Sequence, residues 1–151
     1  VNGQRLHYAE CGSSDSGELL LFLHGFPECW YSWRHQLTAF AHTHHAVAVD
    51  MRGYNLSSKP TEVEAYTIPH LVEDVVTLIQ LLGKRGATLV GHDWGGVVAW
   101  ECAHAHPEWM QNLYCRRCDP QRRLGTGDAC NTRYLRPDRH PRQQRRHCGR
   151  D

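Results

Sequence analysis

The feature that most restricts this chain is the stretch Ala87-Thr88-Leu89-Val90-Gly91-His92-Asp93-Trp94-Gly95-Gly96. A short apolar run ends in an Asp with glycines on both sides, and a helix-like segment follows. Gly91 and the pair Gly95-Gly96 allow a tight turn and a close approach of helix to strand, where a side chain would obstruct both. Such a strand-to-helix turn holds its middle residue out into the open. The commoner middle residue is Ser, whereas Asp points to an alkyl-ester intermediate rather than an acyl-enzyme. A lone Asp at a strand-helix turn is more often a helix cap. The flanking glycines tilt the reading towards a nucleophile.

The rest of the chain reads as scaffold for that turn. Arg5 to Glu10 alternates as a strand does, and Cys11 to Gly17 is a turn. Glu18 to Leu23 is a continuous apolar run, as in a strand buried on both faces of a parallel sheet. Trp30, Trp33, Leu37, Phe40 and Ala41 recur at helical spacing, and both Trp are assigned to the core. Ala46 to Val49 is a second buried strand, ending at Asp50, which is expected to organise the Arg52-Gly53 loop. A polar loop runs on to Tyr66. Thr67 is then a helix cap, with Pro69 in the first turn and Gly83 closing the helix. Leu71, Val72, Val75, Val76, Ile79 and Leu82 give that helix its apolar face. Ala87 to Val90 leads into the turn, and Gly95, Val98, Ala99, Cys102, Ala103 and His106 form the face of the helix after it. Pro107 ends this helix, and Met110 to Tyr114 opens another strand.

Strands alternating with helices predict an α/β fold with a doubly wound, mostly parallel sheet. Reactive groups in such sheets lie beyond the carboxyl ends of the strands. His24-Gly25-Phe26, Asp50 and Asp93 each fall at such an end. The backbone N–H of Trp94 and one from the earlier loop, at Phe26, are the expected oxyanion-hole donors. His92 is read as structural, because adjacent side chains at a turn diverge. His42, His44 and His45 are read as surface residues of a helix-to-strand loop.

Composition divides the chain. Residues 1–113 hold six Lys and Arg against twelve Asp and Glu, whereas residues 114–151 hold eleven Arg and four Asp. The second part has no Val, Ile, Phe, Met or Trp. It is expected to be disordered or out of frame, because so little apolar surface cannot offset the entropy of ordering. The abrupt switch near Tyr114 suggests a reading-frame shift or aberrant splice. Within this part Cys115, Cys118, Cys130 and Cys148, with His140 and His147, have spacings that match no common zinc finger. No metal site and no cofactor are expected. Of the seven Cys only Cys11, Cys29 and Cys102 lie in the first part, where they give no disulfide framework, so a cytoplasmic location is expected. Neither a signal peptide nor a membrane span is apparent. The missing initiator Met is expected to mark a fragment or a processed product.

Residues 1–113 resemble the N-terminal half of an epoxide-hydrolase-type α/β-hydrolase. The resemblance is carried by His24-Gly-Phe-Pro-Glu28, Trp30-Tyr-Ser-Trp-Arg34, Asp50-Met-Arg-Gly-Tyr54 with Ser57-Ser-Lys-Pro60, and Gly91-His-Asp-Trp-Gly-Gly96. It implies that Asp93 attacks an epoxide carbon of a small-molecule substrate, with Phe26 and Trp94 as oxyanion donors. Haloalkane dehalogenases are similar but usually carry Asn where this chain has Phe26. Fluoroacetate-type dehalogenases usually carry Arg where it has Trp94. The resemblance also implies a later acid, a later His and two cap tyrosines, which have no recognisable counterpart. Asp119, Asp128 or Asp138 followed by His140 or His147 has the right order but no strand or helix pattern to position it. The expectation is a truncated core that lacks its later strands and cap and has little or no turnover. The rival reading is a non-catalytic protein whose Arg-rich tail binds nucleic acid, with few aromatics there for base stacking.

Overall fold

Four parallel strands, flanked at one edge by an antiparallel one, make up the sheet, in the order β1-β3-β2-β4-β5. The computed structural model describes residues 1–14 and 17–116. Its strands are β1 (Tyr8–Cys11), β2 (Glu18–Leu23), β3 (His44–Val49), β4 (Ala87–His92) and β5 (Met110–Arg116). Its helices are α1 (Arg34–Phe40), α2 (Ile68–Leu81) and α3 (Trp94–Ala105). Among the described residues no helix is long and apolar enough to cross a membrane.

The apolar run of β2 is explained by burial on both faces. Leu19, Leu21 and Leu23 join Val47, Val49, Ile79, Leu89, Val98, Cys102 and Leu113 on the side covered by α2 and α3. Leu20 and Phe22 join Ala46, Ala48 and Leu37 on the other side, with Trp30 and Trp33 packed against them. Helix α2 ends as its sequence indicates. Gly83 takes φ +69°, its N–H donates to Gln80 O at 2.9 Å, and Lys84 N–H donates to Ile79 O at 3.2 Å. This pair of reversed bonds closes the helix through a left-handed residue.

Several expectations are corrected. The first strand begins at Tyr8, because Arg5 and His7 give their N–H groups to the hydroxyls of Ser58 and Ser57. Trp30–Trp33 is a 3-10 turn ahead of α1, and a second one, Val63–Tyr66, interrupts the polar loop. Thr67 stands at the cap of α2, but its side chain makes no cap bond. Within α1 only Leu37 is buried, and Phe40 is exposed. His45 is not a surface residue: it lies in β3, is 1 % exposed, and its Nε2 is 2.8 Å from Glu10 Oε2. Strand β5 continues past the compositional break at Tyr114, and it pairs with β4 from Ala87 to His92.

Candidate active site

Gly91 and Gly95 are required by backbone contact, whereas a Cβ on Gly96 would come no closer than 3.6 Å to Gly91 O. A Cβ on Gly91 would lie 2.5 Å from Gly95 O, and one on Gly95 would lie 2.3 Å from Leu23 O. Only bare backbone lets α3 pass this close to β4 and β2. Between them Asp93 takes φ 53° and ψ −120°, a conformation that L-residues rarely adopt. The strain is held by the fold around it, and the side chain is left exposed at the carboxyl edge of the sheet.

Backbone N–H groups of Phe26 and Trp94 hold the carboxylate. Phe26 N–H donates to Asp93 Oδ1 at 2.9 Å. The hydrogen bond from Phe26, followed by that from the Trp94 backbone, holds the Asp93 pKa below its usual value of 3.8. Hydrogen bonds to the charged form stabilise it. Asp93 is thus kept as an anion, with one oxygen held by backbone dipoles.

The loop that carries Phe26 is braced from two sides. His24 is fully buried, with Nδ1 2.8 Å from Gly25 O, and its Nε2 accepts from Met51 N–H at 3.1 Å. A ring that accepts at Nε2 and faces a carbonyl at Nδ1 is neutral and carries its proton on Nδ1. Burial accordingly pushes the His24 pKa below 6.5. Glu28 Oε2 accepts from Gly25 N–H at 3.3 Å and lies 3.5 Å from His92 Nδ1, so it links the loop to the residue before Asp93. Tyr54 stacks edge-on against His24 with ring centroids 4.7 Å apart. Burial, and then the charge of Asp93, raise its phenol pKa above 10.0.

Asp50 does more than organise one loop. Its buried carboxylate accepts from Trp30 N–H at 2.8 Å and from Asn55 Nδ2 at 2.9 Å, and lies 2.6 Å from His7 Nδ1. Ser57 Oγ–H donates to its carbonyl at 2.5 Å. His7 and Glu28 were not foreseen in these roles. The Glu28 position carried a signal, since it lies just after the strand end, but His7 is 43 residues from its partner and carried none.

Cys115 lies in β5, where burial pushes its thiol up to about 11 and its Sγ is 3.5 Å from Gly96 O. Cys118, Cys130, Cys148, Asp119, Asp128, Asp138, His140 and His147 lie outside the described residues. Among the described residues no group of three or more His, Cys, Asp or Glu could hold a metal ion.

The chain is similar to known proteins over most of its described length. The sequence pattern of the alpha/beta hydrolase fold family matches residues 18–117. Epoxide hydrolase 1 of Caenorhabditis elegans is 51% identical over 111 residues, covering 74% of this chain and 27% of that protein. Epoxide hydrolase 3 of Mus musculus is 48% identical over 112 residues, covering 74% and 30%. The chain thus spans less than a third of the length of these two relatives. A crystal structure of the Bacillus megaterium epoxide hydrolase in complex with an inhibitor superposes with a TM-score of 0.73 at 50% identity, covering 76% of this chain and 39% of that one. The epoxide hydrolase VrEH1 of Vigna radiata gives 0.73 at 47% identity, covering 76% and 35%. This chain belongs to the alpha/beta hydrolase fold family, and over its matched segment it is epoxide-hydrolase-like.

Proposed function

We propose that Asp93 is the nucleophile of an epoxide-opening reaction. The supporting observation is its strained, exposed carboxylate, with Oδ1 held by Phe26 N–H at 2.9 Å. An oxygen of the carboxylate attacks an epoxide carbon, the C–O bond of the ring breaks, and a hydroxyalkyl ester of Asp93 forms once the released alkoxide takes a proton from water. Hydrolysis of that ester would develop negative charge on the carbonyl oxygen, where the Phe26 and Trp94 N–H groups act as preorganised donors. The hydrolytic half also needs a base to activate water. Among the described residues no His and acid are assigned to that step, and we infer that reaction on them stops at the ester.

Intact-protein mass spectrometry after incubation with styrene oxide tests both statements. The expected result is one adduct of the epoxide's mass, mapped to Asp93 by peptide sequencing and absent from Asp93→Asn. An adduct on any other residue, or none, would sink the nucleophile assignment. Sustained diol release, lost in Asp93→Asn, would keep the nucleophile and overturn the arrest at the ester.

A further inference from the structure

A second feature of the carboxyl edge takes no part in the chemistry assigned to Asp93. A groove of about 530 Å³ lies between the turn that follows Phe26 and the Gly53–Asn55 loop. Its walls include Glu28, Tyr31, Ser32, Arg34, Tyr54 and Asn55. The groove is open to solvent along most of its length, and its volume is that of a small organic ligand.

The groove has one cation, an exposed Arg34 oriented by local contacts with Tyr31. Arg34 Nη1 donates to Tyr31 O at 3.0 Å, and its Cζ lies 4.5 Å from the centroid of the Tyr31 ring. Among the described residues it has no carboxylate within salt-bridge reach, whereas Arg52 is paired with Asp74 at 2.7 Å. A guanidinium is a planar fork of five N–H donors, matched to the two oxygens of a carboxylate. One donor is used on Tyr31 O, so much of the fork remains for a ligand. Fixing the group beforehand lowers the entropy lost on binding.

The surroundings select among anions. Residues 1–113 carry twelve acidic against six basic residues, so a general attraction of anions to this body is excluded. Glu28, the groove's own carboxylate, is directed to Gly25 N–H and His92. Tyr31 is 55 % exposed and Tyr54 is partly exposed, giving two aromatic walls. Stacked or edge-on contact with such walls favours a flat apolar body over a compact inorganic ion. We propose that this groove binds an aromatic carboxylate, with the acid on the Arg34 guanidinium and the ring against Tyr31 and Tyr54.

The proposal does not depend on reaction at Asp93, and its test keeps the two apart. The full chain is titrated with 2-naphthoate and with neutral 2-naphthamide by ligand-observed NMR. The expected result is a Kd of about 1 mM or tighter for the acid, and binding at least about tenfold weaker for the amide. Arg34→Gln removes the preference for the acid. Arg34→Lys, which keeps the charge but loses the fork, restores only part of it, and Asp93→Asn binds as the parent does. Circular dichroism spectra of each variant establish that it is folded. Equal affinity for acid and amide, unchanged binding in folded Arg34→Gln, or no binding of the acid would overturn the proposal. Loss of binding in Asp93→Asn would place the acid at the nucleophile and overturn it equally.

Discussion

At the scale of single residues, the position of Asp93, the proposed nucleophile, is defined by what cannot be added next to it. A Cβ on Gly25 would lie 2.7 Å from Asp93 Cβ and 3.0 Å from Asp93 Oδ1. Gly25→Ala must therefore displace either the Asp93 carboxylate or the loop that carries Phe26. We expect adduct formation with styrene oxide to slow by about tenfold or more, since misplacement of reacting groups by about 1 Å can cost a hundredfold. The rate of adduct appearance by mass spectrometry, with the melting temperature as control, checks this. His24 gives a prediction in pH. Its folded pKa is lowered from 6.5, so below that value the unfolded chain binds more protons than the folded one. The contribution of His24 to stability is thus present above pH 6.5 and lost as pH falls towards the folded pKa. Denaturant titrations at pH 7.5 and 5.5 should show the drop, and it should be smaller in His24→Gln, whose amide does not titrate.

At the scale of elements, the close crossing of α3 over the carboxyl ends of β2 and β4 fixes where Asp93 is presented. A Cβ on Gly95 would meet Leu23 O at 2.3 Å and His24 O at 2.5 Å, both rigid backbone atoms. Gly95→Ala should cost about 1–3 kcal/mol, the usual range for forced overpacking. The midpoint of chemical unfolding measures it, and an unchanged midpoint would mean that α3 can move away freely. The boundaries of these elements were only partly legible. Glu18–Leu23 and the turn at Asp93 could be read because one is apolar on both faces and the other needs glycine. The late start of β1 and the 3-10 turn at Trp30–Trp33 could not, because hydrogen bonds from distant residues decide them. Strand β5 crosses the compositional break for a related reason: six residues of β4 offer it a backbone ladder that side-chain composition does not report.

At the scale of the whole molecule, a buried ion pair joins the loop after β3 to α2. Arg52 Nε and Nη2 donate to the two oxygens of Asp74 at 2.8 and 2.7 Å, Nη1 donates to Ala65 O at 2.7 Å, and both side chains are nearly inaccessible. Arg52→Met would strand a buried carboxylate, at a cost of about 3–5 kcal/mol. Arg52→Met combined with Asp74→Leu should recover much of that loss. Urea titrations of the two variants decide it, and equal stabilities would show that the pair is not the cause. Asp74 stands among the apolar residues of α2 and is itself buried. Its burial becomes intelligible only once Arg52 is seen to reach it across 22 residues.

The sequence by itself determined the alternation of strands and helices, the buried strand β2, the turn at Asp93 and the family to which these belong. It could do so because each rests on local rules: periodicity, glycine where no Cβ fits, and apolar runs of strand length. Tertiary structure alone decided that His45 is buried, that His7 partners Asp50, that His24 and Glu28 brace the loop carrying Phe26, and that Arg34 faces a groove. These are pairings between groups far apart in the chain, and their energies depend on distance and burial, which arise only when the sheet brings the strand ends to one edge.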